Sequence, residues 1–145
     1  MPHENPSDEI LREILTNART IAVVGASSNP ERPSNGIFAK LLSVGYRVIP
    51  VNPGESEVLG ERAYPSLASV PVPIDIVNVF RRSEVTPEIA DTAAAIGAKV
   101  LWLQAGVWSE EAAARAMAKG LRVVMDACIG VVHSRLRIPR KQGAA

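Results

Sequence analysis

The sequence predicts an α/β fold, in which one domain has a doubly wound parallel sheet between two layers of helices. Its 145 residues fit a single domain with its own core. Short β-branched segments alternate with longer segments of helical spacing, and this alternation is typical of parallel sheets. Hydrophobic residues make up 47% of the chain and charged residues 21%, which excludes a disordered protein. Because aromatic residues contribute only 4%, we expect an aliphatic core.

The first half of the chain is predicted to alternate helices and strands. Asn5 is the expected N-cap of an opening helix, with Pro6 at its first helical position. The first strand is apolar throughout, so we expect it at the centre of the sheet. Gly45 supplies the left-handed residue that ends the second helix. In order, these elements are a helix over 6–18, a strand over 20–24, a helix over 37–44 and a strand over 47–51.

The second half resumes this alternation after an irregular segment, 52–73, that is rich in Gly, Pro and Ser. Within that segment we expect a very short edge strand near 63–64. Two further helices follow, the first capped by Ser83 or Thr86 and the second by Ser109. The remaining strands are predicted over 75–80, 99–103 and 121–126.

Right-handed crossovers between these elements predict a three-layer, Rossmann-like sheet of strand order 3-2-1-4-5-6. Residues 1–18 form an N-terminal helix that packs on the domain, residues 19–136 form the domain itself, and residues 137–145 form a basic tail. In a sheet of this order, ligands bind beyond the carboxyl ends of the strands, next to the first strand.

Charge and composition exclude several functional classes. The net charge of +1 gives no global field for nucleic acid or an anionic membrane, so we expect neither partner. A single cysteine, Cys128, and two histidines argue against a disulfide framework or a metal site. No apolar run approaches the ~20 residues that span a bilayer, and the acidic N-terminal residues do not resemble a secretory signal. We expect a soluble, cytoplasmic protein.

The loop after the first strand, residues 25–36, is the predicted anion site. Its small residues let backbone amides approach a phosphate or pyrophosphate, and the helix that follows presents its positive end. The alternative, that Gly25 and the serines only turn the chain and cap a helix, stays open. The loop lacks the G-x-G-x-x-G fingerprint, and no acidic residue follows the second strand, which argues against NAD. Walker-lysine and G-x-S-x-G motifs are also missing.

Several short motifs at strand ends carry a family resemblance. They are Val24-Gly25-Ala26-Ser27, Gly45-Tyr46-Arg47-Val48-Ile49-Pro50-Val51-Asn52-Pro53, Leu59-Gly60, Val79-Phe80-Arg81, Trp102-Leu103-Gln104-Ala105-Gly106 and Asp126-Ala127-Cys128. Together they closely resemble the stand-alone prokaryotic CoA-binding proteins, small relatives of the N-terminal CoA-binding domain of the succinyl-CoA synthetase alpha subunit. The resemblance covers residues 19–136.

This resemblance implies coenzyme A, or an acyl-CoA, as the ligand. The residues it places at the pyrophosphate are Gly25, Ala26, Ser27 and Ser28 in the turn, with Arg32, Pro33 and Ser34 at the start of the helix. The residues on the adenosine side are Val51, Asn52 and Pro53, and those over the middle of the ligand are Phe80 and Arg81. The residues beside the pantetheine arm are Leu103, Gln104 and Gly106. Arg32 and Arg81 suit phosphate oxygens, and Gln104 suits a pantetheine amide.

Two positions depart from the family pattern. Related domains often carry a basic residue just after the second strand, where this chain has Gly54 and Glu55. Either another base such as Arg32 takes the place of the missing basic residue, or the protein takes a ligand without the 3′-phosphate. The negative charge of Glu55 would oppose binding of that phosphate. The chain also has Ala127 where relatives commonly have arginine. The neighbouring Cys128 could form a mixed disulfide with CoA, or it is a buried small hydrophobe.

The resemblance implies binding without catalysis by this chain alone, and the spacing of the residues, which pairs no nucleophile with a base, agrees with this. His133 is expected in a C-terminal tail, whose bases are solvated, contact a polyanion or clamp the CoA phosphates. One alternative is an NAD(P)- or acyl-CoA-dependent enzyme with unrecognised catalytic residues. Another is a CoA-sensing regulatory module that contacts a partner through Trp108 or the tail. A homodimer is compatible with the sequence, which does not indicate an interface.

Overall fold

The structure, a computed structural model, describes residues 2–141. Its central sheet has five parallel strands, β1 (Thr20–Val24), β2 (Arg47–Val51), β5 (Ile76–Val79), β6 (Val100–Leu103) and β7 (Arg122–Val124), in the order β2-β1-β5-β6-β7. A small antiparallel hairpin comprises β3 (Glu57–Val58) and β4 (Glu61–Arg62). The helices are α1 (Asp8–Asn17), α2 (Pro33–Ser43), α3 (Thr86–Ala95), α4 (Glu110–Ala118) and α5 (Ile129–Arg135).

Helices cover both faces of the sheet because each strand is apolar on both sides. Within β1, Ile21 and Val23 pack in the same core as α1, α2 and α5. The alternate residues, Ala22 and Val24, pack in a second core with α3 and α4. Side chains alternate between faces along a strand, so one apolar segment serves two cores. The predicted three-layer, Rossmann-like fold is confirmed.

The predicted third strand is reduced to one bridge. Tyr64 pairs with Val51 at the edge of the sheet, through hydrogen bonds from the Tyr64 N–H to the Pro50 carbonyl (3.0 Å) and from the Asn52 N–H to the Tyr64 carbonyl (2.9 Å). The ladder ends there because the Asn52 carbonyl accepts the Glu55 N–H (3.2 Å), while the Ser66 N–H donates to the Ser69 hydroxyl (3.3 Å). The sheet therefore has five strands, with Tyr64 at the edge position predicted for the strand numbered 3. The β3–β4 hairpin was not predicted.

The opening helix begins later than predicted. Ser7, not Asn5, is the N-cap of α1, and its hydroxyl accepts the Ile10 N–H at 3.4 Å. Asn5 instead donates to the Met125 carbonyl (2.7 Å) and accepts the Met125 N–H (2.8 Å). This pair of bonds joins the N-terminal segment to the end of β7, which is a long-range contact that local sequence rules do not reveal. The predicted cap Ser109 is confirmed on α4.

The C-terminal segment packs on the domain as far as it is described. His133 is buried in α5, and Ile138 is buried beyond it, so neither lies in a solvated tail. The Lys141 N–H donates to the Val44 carbonyl (2.9 Å), and its ammonium donates to the Thr16 carbonyl (2.6 Å). These partners lie at the amino ends of the strands, so Lys141 does not clamp a ligand at the carboxyl ends. Residues 142–145 of the predicted tail lie outside the described residues.

Candidate functional site

The turn after β1 depends on a glycine. Gly25 has a φ of +90°, and a Cβ atom there would lie 2.6 Å from the Phe80 carbonyl oxygen. Its N–H donates to the Val51 carbonyl (2.8 Å), and the Phe80 N–H donates to the Val24 carbonyl (2.8 Å). Gly25 therefore allows the ends of β1, β2 and β5 to meet without a side chain between them. The close approach of these three strand ends forms the base of the site.

Asparagine side chains join the loops around this turn. Asn52, after β2, donates to the Ala26 carbonyl (2.8 Å) and accepts the Gly54 N–H (2.9 Å). Asn35, in the first turn of α2, donates to the Ser27 carbonyl (3.0 Å). Ala26 itself has no exposed surface, so it positions the turn rather than contacting a ligand. Asn35 was not singled out in the sequence.

A cleft of about 360 Å³ opens at the carboxyl ends of the strands, next to β1. Eight predicted site residues line it, namely Gly25, Ser27, Arg32, Pro33, Ser34, Asn52, Phe80 and Arg81. They come from the loops after β1, β2 and β5. The start of α2 contributes three of them, and that helix has neither a side-chain cap nor an acidic residue in its first turn. Its partial positive charge and two arginines therefore make the cleft suitable for an anion.

An apolar cavity of about 410 Å³ adjoins the cleft, and Arg81 lines both. The predicted residues Val51 and Pro53 line this cavity. Its other apolar lining residues include Val24, Pro65, Leu67 and Ile89. Such a lining suits a flat ring system, whereas the cleft beside it suits phosphate. The contribution of 65–67 was missed because proline and serine there indicate only a loop.

Another cavity, of about 390 Å³, lies at the amino ends of the strands. Four of the five charged residues that line it form two pairs, because Lys99 lies 3.6 Å from Asp75 and Arg122 lies 3.5 Å from Glu13. The Asp75 carboxylate also accepts the N–H groups of residues 19 and 20. These mutual contacts reduce the charge available to a ligand, so this cavity is less suited to an anion than the cleft.

The last residue of the predicted turn already has an anionic partner. The Ser28 N–H donates to the Glu55 carboxylate at 2.7 Å, and the Ser28 hydroxyl donates to its two oxygens at 2.8 and 3.0 Å. These bonds, the backbone one first, hold the pKa of the Glu55 carboxyl below its usual range. The sequence showed the charge of Glu55 but not its contact with Ser28, which lies 27 residues earlier.

The residues predicted beside the pantetheine arm lie apart from the cleft lining. Leu103 has no exposed surface and packs in the core with α3 and α4, so it cannot border a ligand, which corrects that prediction. Gln104 is 5% exposed, and its side-chain oxygen accepts from Asn78 (3.1 Å) and from the Ile129 N–H (3.0 Å). Gly106 is exposed, and its N–H donates to Asp126 (2.7 Å).

Asn78 and Gln104 form a buried polar pair next to the start of α5. Asn78 is fully buried on β5, and its side-chain oxygen has no partner among residues 2–141. The sequence signal for Asn78 was a polar residue inside an otherwise apolar strand.

Cys128 is half-buried directly before α5, and the preceding Ala127 carbonyl accepts the Trp102 indole N–H (2.8 Å). A thiol adduct at Cys128 stays a prediction.

Comparison with known proteins gives the family. A family model described as a CoA binding domain matches residues 19–134. The chain belongs to this CoA-binding family. The predicted resemblance is therefore confirmed, and the family match covers nearly the whole sheet domain.

Relatives of this CoA-binding domain occur as small proteins and as parts of larger enzymes. The Bacillus subtilis (strain 168) protein YneT is 45% identical over 131 residues, which cover 90% of this chain and 97% of YneT. A solved structure of a Pyrococcus horikoshii OT3 protein has a TM-score of 0.90 at 42% identity, covering 94% of this chain and 96% of that one. The ADP-forming acetate–CoA ligase II subunit alpha of Pyrococcus furiosus is 27% identical over 133 residues, which cover 84% of this chain and 29% of the subunit. The CoA-binding domain thus matches small relatives along their whole length and the ligase subunit over part of it.

Proposed function

We propose that this protein binds coenzyme A or an acyl-CoA by itself, with the pyrophosphate in the cleft beside Gly25. One observation carries the proposal: eight residues singled out in the sequence, from three separate loops, line a single cleft. That cleft lies at the carboxyl ends of the strands next to β1, where open α/β sheets bind ligands. Membership of the CoA-binding family supports the choice of ligand.

The two adjoining cavities suggest how the ligand is oriented. The pyrophosphate would accept hydrogen bonds from the glycine turn and the first turn of α2, and the adenine ring would enter the apolar cavity beside Val51 and Pro53. Arg81 lines both cavities, so its planar guanidinium can pair with phosphate oxygens and also lie against the adenine ring. The pantetheine arm would leave the cleft past Phe80 toward the loop that contains Gly106.

The role we propose is binding. Three small residues, one proline, one asparagine, one aromatic ring and two arginines line the cleft, and such groups hold and orient an anion. The ligase subunit to which the chain is similar is about three times as long as the matched region, so the similarity concerns one part of that subunit.

A ligand panel tests the proposal. Thermal denaturation would be followed with CoA, acetyl-CoA, dephospho-CoA, NAD, NADP and ATP, and hits would be confirmed by calorimetry. A ligand at 100 times its Kd adds about 2.7 kcal/mol of stability, which raises the Tm of a domain this size by several degrees. We expect CoA compounds to stabilise the protein. Stabilisation by NAD alone would overturn the proposal.

A further inference from the structure

We propose that Glu55 is an internal competitor for a phosphate group of the ligand, and that it thereby sets which nucleotides the site prefers. The inference rests on the proposed function, because it concerns the same cleft. It adds a specificity-determining residue that does not line the cleft itself.

The Glu55 carboxylate occupies donors that a phosphate would use. Ser28 ends the glycine turn, and both its N–H and its hydroxyl donate to Glu55 at 2.7 to 3.0 Å. Phosphate oxygens bind to the same kind of backbone N–H and hydroxyl groups in such turns. The contact therefore resembles the binding of an external anion, with an internal carboxylate in its place.

The backbone directs Glu55 toward this turn. Its N–H donates to the Asn52 carbonyl (3.2 Å), and the Asn52 side chain holds the Ala26 carbonyl. Because Asn52 also lines the cleft, Glu55 lies three residues after a residue that borders the proposed ligand site. A carboxylate and a phosphate cannot share the Ser28 donors, and their like charges repel. A ligand phosphate that reaches Ser28 must displace Glu55, and the free energy of that displacement weakens binding.

CoA carries phosphate at two positions that could meet Glu55, the pyrophosphate and the 3′-phosphate on the ribose. Either group would bring a phosphate oxygen to the Ser28 donors that the Glu55 carboxylate now occupies. CoA and dephospho-CoA differ only in the 3′-phosphate, so the pair of ligands distinguishes the two groups.

The test measures the Kd of CoA and dephospho-CoA by calorimetry for the wild type, Glu55→Gln and Glu57→Gln. Glu57 is the matched control because it is exposed on the adjacent β3 and its substitution makes the same change in charge. We expect Glu55→Gln to tighten CoA binding about tenfold, the usual effect of one charge-assisted hydrogen bond, and Glu57→Gln to change it less than about twofold. A gain confined to CoA identifies the 3′-phosphate as the competitor, and an equal gain for both ligands identifies the pyrophosphate.

A double-variant cycle adds a second readout. In a Ser28→Ala background the gain from Glu55→Gln should shrink, because the hydroxyl that Glu55 occupies has been removed. A loss of folding cannot imitate tighter binding. The proposal is overturned if Glu55→Gln matches Glu57→Gln or binds CoA more weakly than the wild type, and in that case the proposed function still stands. If no variant binds either ligand, both proposals fail.

Discussion

At the residue scale, Gly25 is the position where backbone conformation and close contact coincide. Its φ of +90° alone favours glycine, and the Phe80 carbonyl leaves no room for a Cβ atom. Gly120 has an almost identical φ of +91° but nothing within 4 Å of the added atom. The pair therefore separates the effect of conformation from the effect of contact.

We predict that Gly25→Ala lowers the free energy of unfolding by about 3 kcal/mol and Gly120→Ala by about 1 kcal/mol. The difference arises because alanine at 25 must push the loop after β5 away from the turn. Urea denaturation measures both values, and CoA affinity should fall only for Gly25→Ala. Equal losses of stability would show that the contact with Phe80 relaxes at no cost.

Arg81 has a neighbour that serves as its control. Arg81 lines the cleft and the apolar cavity, whereas Arg82 is exposed and lines neither. We predict that Arg81→Ala weakens CoA binding about tenfold or more through the loss of a charge-assisted hydrogen bond, while Arg82→Ala stays within about twofold. Calorimetry measures both. If the two variants bind equally well, Arg81 does not contact the ligand.

His133 makes stability depend on pH. It is 3% exposed, its Nε2 has no partner among the described residues, and Tyr46 lies edge-on to its ring. Burial, followed by the charges of Lys40 and Lys141, lowers the pKa of His133 below its usual 6.5. The unfolded chain therefore binds a proton more readily than the native state does. The contribution of His133 is complete above pH 6.5 and is lost as the pH falls toward the lowered value.

We predict that His133→Gln gives a flatter decline in unfolding free energy than the wild type as the pH is lowered from about 8 to about 5. Urea denaturation across that range provides the measurement. A wild-type slope in His133→Gln would mean that this residue is not the group responsible.

At the element scale, α4 shows how a local cap and tertiary packing reinforce each other. The Ser109 hydroxyl accepts the Ala112 N–H at 3.0 Å, and Ala112, Ala113 and Ala116 pack in the core beneath. In α1 the corresponding bond, from the Ile10 N–H to the Ser7 hydroxyl, is longer at 3.4 Å. These three small buried residues let α4 pack closely against the sheet. A shift of the helix along its axis would therefore move them out of their places in the core.

We predict that Ser109→Ala lowers the free energy of unfolding by about 1 kcal/mol, the usual cost of losing an N-cap, and that Ser7→Ala costs about half as much. The longer bond at Ser7 is the physical reason for the difference. Urea denaturation of both variants measures it. A greater loss in Ser7→Ala would contradict this ranking.

At the scale of the whole molecule, the two rims of the sheet have different roles. The carboxyl ends carry the cleft and the apolar cavity, whereas the amino ends carry paired charges and the packed C-terminal segment. None of the helices within residues 2–141 has both the length and the hydropathy needed to cross a bilayer. The proposed ligand would bind at the carboxyl ends of the strands, and the amino ends remain available for structural contacts.

Most of the fold followed from sequence pattern because the main strands are short apolar runs separated by helical spacing. The predicted third strand was an exception, since Tyr64 makes only one bridge, and neither α5 nor the β3–β4 hairpin was predicted. Among the site residues, eight from the loops after β1, β2 and β5 line one cleft, whereas Val51 and Pro53 line the adjoining cavity and Ala26 is buried. Leu103 does not, because alternate residues of a strand face opposite cores and Leu103 faces α3 and α4.

The sequence by itself determined the fold class, the family and the order of the five sheet strands and first four helices, since these depend on local periodicity and short motifs. Only the tertiary structure decided that the Glu55 carboxylate binds Ser28, that Asn5 bonds to Met125 and that Lys141 packs at the rim opposite the cleft. Each of these contacts joins residues far apart in the chain. Local sequence rules describe how a segment folds, whereas the path of the whole backbone determines which distant polar groups meet.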